Sequence, residues 1–218
     1  MPSSRKHIAV WLRIASGYGR STHLIGELSP GFHYQAAAET LKFMDALGID
    51  QAFFWGHSDG AVIAAILGFT APERVKGLIL EAFHFHAQKP GSRAFFEVAA
   101  KNPEGMGPEL SARFARDHGD DYWRQLITTH AKAWLDLGLN STDDLYHGRL
   151  AEVAAPTLLL HGRLDPRTEA GEIEEVKKQL PAAKIVYLGK GTHSPHSEIL
   201  TADLTTKIAA GELDLWLG

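Results

Sequence analysis

The 218-residue sequence contains no cysteine, so disulfide bonds, thiol catalysis and cysteine metal sites are all excluded. It also has no apolar run that approaches the roughly 20 residues needed to cross a bilayer. A signal peptide is not predicted, because Arg13 interrupts the apolar run after the basic N-terminus and no cleavage site follows. The lack of cysteine fits a reducing compartment without requiring one. We therefore expect a cytoplasmic protein with no membrane partner.

An excess of positive charge is also lacking, since the formal net charge is −4 and the pI is near 6.3. These values give no reason to expect nucleic acid or an anionic membrane surface as a partner. The hydrophobic fraction of 44% and the charged fraction of 22% are ordinary for a soluble globular protein. The length is sufficient for one domain with a sizeable core and an insertion.

The sequence does contain a Gly-x-Ser-x-Gly motif at residues 56–60, with Ser58 at its centre. An apolar, aromatic run precedes this motif and a helical pattern follows it directly, which is typical of a nucleophile elbow. In such an elbow a tight, strained turn lifts the serine hydroxyl clear of the strand and the helix. We expect Gly56 and Gly60, which lack a Cβ, to let these two elements approach closely. An ordinary glycine-rich turn is the alternative, and the flanking patterns argue against it.

Apolar runs alternate with helical patterns along the chain, which predicts the α/β class with a mostly parallel sheet and helices on both faces. Strands are predicted at residues 8–14, 52–55, 75–82, 156–161 and 183–188, and helices at 34–47, 59–70, 121–137, 168–180 and 197–210. Between residues 84 and 153 prolines and glycines separate short amphipathic helices, which we interpret as an insertion. The predicted organisation is a core formed by residues 1–83 and 154–218 and a helical cap (lid) formed by residues 84–153.

An activated serine needs a base within hydrogen-bond reach and a third group that orients the base. Asp165 lies just past one predicted strand, and His193 lies just past the next one. Ligands of an open parallel sheet sit outside the carboxyl ends of the strands, which is where Ser58 also lies. The chain order Ser58, Asp165, His193 is the serine–acid–histidine order of the fold that carries the nucleophile elbow. These residues are therefore predicted to form one site.

With these residues in place, the chain resembles the α/β-hydrolase superfamily, in its branch of small cap-bearing serine esterases, over nearly all of its length. The matching pieces are Gly-Tyr-Gly-Arg-Ser at 17–21, Gly-His-Ser-Asp-Gly at 56–60, His-Gly-Arg-Leu-Asp at 161–165 and Gly-Thr-His-Ser-Pro-His at 191–196. The resemblance implies that Ser58 is the nucleophile, that His193 is the general base and acid, and that Asp165 orients it. It also implies that the backbone N–H of Asp59 is an oxyanion donor and that the cap shapes the acyl pocket.

The N-terminal part departs from the family pattern. Before the Gly-Tyr-Gly-Arg-Ser turn, family members usually carry a strand ending in His-Gly, which supplies a second oxyanion N–H, and then a helix. Only 16 residues precede Gly17, so we expect the chain to be shortened and to lack these elements. Loss of one donor from an oxyanion hole lowers the rate by roughly 10²–10³. Because a shortened sheet exposes strand edges, we also expect a homodimer.

Two further polar residues near the motifs have alternative interpretations. His196 is the alternative base, because it lies three residues from His193. The glycine-led turn directly after the strand favours His193. The side chain of Asp59 is too close to the elbow to orient the base, so we interpret it as solvated or as a charge at the helix N-terminus.

Four aromatic or imidazole side chains remain as possible ligand contacts. His57, His84 and Trp123 are predicted to bind substrate, although a Trp on an apolar helix face more often packs in the core. His84 and His86 form a His-x-His pair, which would put both rings on one face of a strand, as a metal site needs. No third ligand is obvious, so we predict no metal.

Together these features predict a serine hydrolase that cleaves carboxylic esters through an acyl-enzyme. Its partner is a small-molecule ester, and it needs no metal or organic cofactor. One alternative uses the same triad to hydrolyse carbon–carbon bonds in ring-cleavage products, because specificity depends on the insertion and the pocket. The other alternative is a shortened relative that binds ligands without turnover, which the expected loss of the oxyanion loop motivates.

Overall fold

The structure is a computed structural model that describes residues 15–140 and 144–217. Its strands are β1 (Ala52–His57), β2 (Val75–Glu81), β3 (Thr157–Gly162) and β4 (Lys184–Leu188). Its α-helices are α1 (Phe32–Ala46), α2 (Asp59–Thr70), α3 (Arg93–Lys101), α4 (Pro108–His118), α5 (Trp123–Asn140), α6 (Glu172–Gln179) and α7 (Ala202–Leu217). Short 3-10 helices lie at Pro72–Arg74, Pro90–Ser92, Pro103–Met106 and Leu150–Glu152. The strand predicted at 8–14 lies outside the described residues.

The four strands form one parallel sheet in the order β1-β2-β3-β4. Helices connect each strand to the next, with α2 between β1 and β2, α3 to α5 between β2 and β3, and α6 between β3 and β4. Parallel strands need such crossovers, and the crossovers cover the faces of the sheet. All six residues of β3 are accordingly buried. The predicted α/β class with a parallel sheet is confirmed.

Different helices cover the two faces of the sheet. Leu78 and Leu80 of β2 belong to the larger core cluster, which includes the buried side of α2. Ile79 lies between them in sequence and packs on the opposite face with Leu158 and with Ala209 of α7. Successive side chains of a strand point to opposite faces, so one apolar strand contributes to both layers.

The segment predicted to form a cap is helical, and it contains α3, α4 and α5. Helices α3 and α5 pack against each other, and the ring of Phe96 stacks on Trp134 with 5.5 Å between centroids. The division of the chain into core and cap stays a prediction. Among the helices of the described residues, none combines the length and the apolar character that crossing a membrane requires.

Helices α6 and α7 begin later than the sequence pattern predicts. Gly171 directly precedes α6 with φ of 79°, a left-handed conformation that interrupts the helix expected from residue 168. Before α7 the chain forms turns, one of them closed by the Ser197 N–H donating to the Ser194 carbonyl. Both shifts lengthen the loops at the carboxyl ends of β3 and β4, and these loops carry Asp165 and His193.

The turn between β1 and α2 has the strained backbone that the sequence predicts. Ser58 adopts φ of 54° and ψ of −119°, which is rare for a residue with a Cβ. A Cβ at Gly56 would overlap with the backbone carbonyl of Gly60, whereas a Cβ at Gly60 would meet nothing within 4 Å. The expectation of close approach is therefore right for Gly56 and wrong for Gly60, whose Cβ direction faces open space.

We predict that Gly56→Ala destabilises the fold and that Gly60→Ala does not. The overlap at Gly56 involves backbone on both sides, so β1 and α2 must separate, which lowers the free energy of unfolding by about 1–3 kcal/mol or more. Gly60→Ala is the matched control, and alanine in a helix is favoured over glycine by roughly 0.5–1 kcal/mol. Urea unfolding followed by circular dichroism measures both. Equal losses of stability would contradict this account of the turn.

Candidate active site

The side chains of Ser58, His193 and Asp165 meet at the carboxyl ends of β1, β4 and β3. His193 Nε2 lies 3.0 Å from Ser58 Oγ. His193 Nδ1 lies 3.1 Å and 3.0 Å from the two carboxylate oxygens of Asp165. The carboxylate favours the tautomer with the proton on Nδ1, which leaves Nε2 as the acceptor for the serine hydroxyl. The three residues predicted from separate segments form one chain of hydrogen bonds.

Backbone contacts hold the loop that carries His193 against the end of β3. A Cβ at Gly162 would overlap with the carbonyl oxygen of Thr192, so the last residue of β3 must be glycine for the loop to pass this close. On the other side, the carboxylate of Glu198 accepts the N–H groups of Thr192 at 2.9 Å and of Ser194 at 3.0 Å. His193 lies between these two anchored residues, which limits the positions its ring can take.

Asp165 is held as a carboxylate. Burial on its own would raise the pKa of Asp165, but the hydrogen bond and charge of His193 outweigh burial. The backbone N–H of Arg167, which donates to Asp165 Oδ1 at 2.9 Å, acts in the same direction as His193. The resulting pKa is about 2, so Asp165 is ionised at neutral pH and is able to stabilise a protonated His193.

A second histidine, His84, contacts the same serine. His84 Nε2 lies 3.4 Å from Ser58 Oγ, and its ring stacks on that of His193 with 5.5 Å between centroids. Burial, with a further effect from the charge of Lys89, holds the pKa of His84 well below its usual value. His84 is therefore neutral at physiological pH. Its Nδ1 is buried and has no hydrogen-bond partner among the described residues, which fits a lone pair there and a proton on Nε2.

Asp59 directly follows Ser58, and its side chain is bound on three sides. His33 Nε2 lies 3.0 Å from Oδ1, His130 Nε2 lies 3.0 Å from Oδ2, and Trp134 Nε1 donates to Oδ1 at 3.2 Å. Burial raises the pKa of Asp59. The charge and hydrogen bonds of the two histidines lower it by more than burial raises it, so the pKa is well below its usual value. The interpretation of this side chain as solvated is wrong.

The sequence patterns gave no indication of the partners of Asp59. His33 comes from α1, while His130 and Trp134 come from α5, and no local motif connects them. Tyr18 extends the cluster, because its hydroxyl lies 2.5 Å from His130 Nδ1. Only the tertiary packing of α1 and α5 around the elbow brings these side chains together.

His57 and His196, the other two histidines near the elbow, make structural contacts. His57 Nε2 lies 2.7 Å from the backbone carbonyl of His193. His196, the alternative base, has its Nδ1 3.0 Å from Glu81 Oε1. Glu81 is fully buried, and its other carboxylate oxygen accepts the indole N–H of Trp55 at 3.0 Å. Of the two histidines in the loop after β4, His193 therefore contacts Ser58 and His196 contacts Glu81.

A cavity of about 370 Å³ lies beside Ser58. Small-molecule sites of proteins commonly measure roughly 300–1,000 Å³, so the cavity has room for a small ligand. His57, His84 and His193 line it, and the segment from α3 to α5 contributes mainly apolar side chains, among them Phe95, Phe96, Met106, Leu110, Phe114, Ile127 and Trp134.

Two of the sequence candidates do not contribute to this cavity. Trp123 is 1% exposed and its ring stacks on Phe114 at 6.2 Å, so it packs in the core and the predicted contact with substrate has no support. His86 pairs with Asp144 in a short β-bridge. Within residues 15–140 and 144–217, no group of three His, Asp or Glu side chains is arranged to hold a metal ion.

The model of a protein family described as "alpha/beta hydrolase fold" matches residues 2–132 of the chain. The chain belongs to the alpha/beta hydrolase family. The sheet order, the strained serine turn and the positions of Asp165 and His193 fit this hydrolase fold. Residues 1–14, which precede the Gly-Tyr-Gly-Arg-Ser turn, lie outside the described part of the chain. The expected loss of the second oxyanion donor therefore stays a prediction.

The curated relatives of this chain are distant. The mouse protein named serine hydrolase BPHL is 21% identical over 187 aligned residues, and the match covers 83% of this chain and 61% of that protein. The pimeloyl-[acyl-carrier protein] methyl ester esterase of Nitrosomonas europaea is 29% identical over 169 residues, covering 64% of this chain and 63% of the relative. The chain thus spans less than two thirds of the length of either relative.

Solved structures show the same fold. A thermophilic esterase from Thermogutta terrifontis, determined with malate bound, superposes with a TM-score of 0.66 at 20% sequence identity. The match covers 93% of this chain and 78% of that esterase. At 20% identity this structural similarity shows the fold alone.

We predict that Asp165 stabilises the fold in a pH-dependent way. The pKa of Asp165 is lowered from the ordinary value of 3.8 to about 2. Its contribution to the free energy of unfolding is therefore fully present above pH 3.8 and is lost as the pH falls through about 2. Because one pKa unit corresponds to about 1.4 kcal/mol, the contribution is about 2 kcal/mol. Urea unfolding of the wild type and of Asp165→Asn between about pH 5 and pH 2 should show their difference shrinking by that amount. A constant difference would contradict the prediction.

Proposed function

We propose that the chain is a serine hydrolase that cleaves carboxylic esters through an acyl-enzyme, with Ser58 as the nucleophile. The observation that carries the proposal is the unbroken chain of hydrogen bonds from Asp165 through His193 to Ser58 Oγ. The strained turn presents this oxygen to a cavity of suitable size, as nucleophilic catalysis requires.

In the proposed acylation step, Ser58 Oγ attacks the ester carbonyl carbon while His193 Nε2 accepts the hydroxyl proton. The ionised Asp165 stabilises the imidazolium that forms. The N–H of Asp59 is at the first position of α2, where helix geometry provides no intrahelical acceptor, so it is suited to donate to the carbonyl oxygen as that oxygen becomes negative. The tetrahedral intermediate collapses when His193 returns the proton to the leaving alkoxide.

Deacylation repeats the same steps with water. His193 Nε2 takes a proton from a water molecule as the water attacks the acyl carbon, and then protonates Ser58 Oγ as the acid leaves. The neutral His84 contacts Ser58 Oγ from another side. With its proton on Nε2, His84 donates to the lone pair of Oγ and helps to direct the hydroxyl hydrogen toward His193.

The relatives support an ester as the substrate class. The Nitrosomonas europaea relative is named a methyl ester esterase, and the mouse relative is named a serine hydrolase. The apolar side chains that face Ser58 from the insertion are suited to an acyl chain. A relative that binds ligands without turnover needs no activated serine, so reaction of Ser58 with an electrophile distinguishes this alternative from the proposal.

The direct test is labelling by a fluorophosphonate probe together with hydrolysis of p-nitrophenyl butyrate. We expect Ser58→Ala to abolish labelling, and Ser58→Ala and His193→Ala each to lower kcat/KM by at least about 10³-fold, since triad residues act as a unit. Two controls match these variants. Ser197→Ala removes an exposed serine, and His196→Ala removes the alternative base.

Both controls should retain labelling and most of the hydrolysis. Labelling that survives in Ser58→Ala, or hydrolysis that is equal in Ser58→Ala and the wild type, would contradict the proposed nucleophile. Hydrolysis lost in His196→Ala but retained in His193→Ala would contradict the proposed base.

A further inference from the structure

The side chain of Arg167 lines the cavity beside Ser58 and has no anionic partner there. Its guanidinium carbon lies 4.3 Å from the centre of the Phe95 ring. Among the described residues, no carboxylate lies within ion-pair distance of the guanidinium, and no acceptor lies within hydrogen-bond distance. A guanidinium remains charged in proteins, so a positive charge faces the space that the substrate would occupy.

The backbone of Arg167 is fixed firmly on both sides. Its N–H donates to Asp165 Oδ1 at 2.9 Å, and its carbonyl accepts a hydrogen bond from Lys89 Nζ at 3.2 Å. Lys89 in turn pairs with the carboxylate of Glu172, whose side chain is fully buried. The cation thus extends from a rigid loop that also holds the acid of the triad, which is a favourable arrangement for binding with fixed geometry.

The other charged side chains that line the cavity each have a partner of opposite charge or are exposed to solvent. Lys89 is paired with Glu172. Arg113 is exposed, and its guanidinium lies 3.7 Å from Asp117, which also pairs with Arg116 at 3.0 Å. Asp59 is bound by His33 and His130. Among the described residues, Arg167 is therefore a half-buried cation of the cavity with no carboxylate within ion-pair distance, whereas Arg113 is exposed to solvent.

Burial makes this unmatched charge energetically unfavourable. Removal from water lowers the pKa of Arg167 from its usual value, and the more distant charges of Asp59 and Asp165 oppose that lowering only in part. A partly desolvated guanidinium gains most from an anion that accepts two of its N–H groups, and a carboxylate does so in plane. Because the negative charges of Asp59 and Asp165 also act on this region, a singly charged carboxylate suits it better than a dianionic phosphate.

We propose that Arg167 binds a carboxylate group of the substrate, so that the natural substrates are esters that carry a free carboxylate. The inference rests on the proposed function, because it assumes that the ester bond of such a molecule is cleaved at Ser58. Arg167 then determines specificity by orienting the charged end of the ester, while the apolar side of the cavity, including Phe95, contacts its carbon chain.

Matched neutral and charged esters test this assignment. The neutral probe is p-nitrophenyl hexanoate. Mono-p-nitrophenyl adipate carries a carboxylate at the far end of the acyl chain, and 4-carboxyphenyl hexanoate carries one on the alcohol side. The variants are Arg167→Gln, Arg167→Lys, which keeps the charge, and the control Arg163→Gln, which removes an exposed guanidinium that lies over Tyr187.

We expect Arg167→Gln to lower kcat/KM for at least one charged ester by about 10- to 100-fold, the effect of losing a charge-assisted hydrogen bond, chiefly through KM. The same variant should change kcat/KM for the neutral ester by less than about threefold. Arg167→Lys should retain part of the activity toward the charged ester, because it keeps the positive charge without the planar fork. Arg163→Gln should leave both activities unchanged.

Failure of the inference is distinguishable from failure of the proposed function. If Ser58-dependent hydrolysis occurs but Arg167→Gln affects neutral and charged esters equally, the inference is overturned and the proposed function stands. If no ester is hydrolysed, the proposed function fails, and isothermal titration calorimetry with monomethyl adipate decides whether Arg167 binds a carboxylate in this cavity. Binding to Ser58→Ala that is lost in Ser58→Ala/Arg167→Gln supports it. Absent binding, or equal binding to both, overturns it.

Discussion

The arrangement of this site depends on one constraint, the backbone conformation of Ser58. A non-glycine residue at φ of 54° costs of order 1–3 kcal/mol, and such a conformation persists only where the surroundings impose it. Here the Ser58 N–H donates to the Glu81 carbonyl at 2.9 Å, and the buried Ala61 and Val62 anchor the start of α2. The absence of a Cβ at Gly56 then allows β1 to meet the helix backbone. The strain holds the hydroxyl at the edge where the other loops converge.

The proximity of Ser58, His193 and Asp165 was predictable from the sequence because each of them follows an apolar strand. Parallel strands bring their carboxyl ends to the same edge of the sheet, so three local patterns sufficed to predict a site formed by distant segments. The positions of α6 and α7 were less predictable. Gly171 interrupts the first of these helices through its positive φ, which a count of apolar residues does not reveal.

The contacts of the residues around Ser58, His193 and Asp165 were not predictable from the sequence. Asp59 is bound by His33 of α1 and His130 of α5, and these contacts depend on how the helices pack rather than on any motif. For Arg167 the informative property is the absence of an anionic partner in the described residues, which only the folded structure reveals. Local patterns thus predicted the proposed chemistry, whereas the surroundings of Asp59 and Arg167 became apparent only in the folded structure.

The central claim is that Ser58, His193 and Asp165 act as one catalytic unit. The most direct test is a kinetic comparison of Ser58→Ala, His193→Ala and the double variant on the same ester. Residues that act as a unit are strongly non-additive, so the account predicts that the double variant is no slower than the worse single variant, within about threefold. Losses that multiply in the double variant would show that the two side chains contribute independently and would contradict the claim.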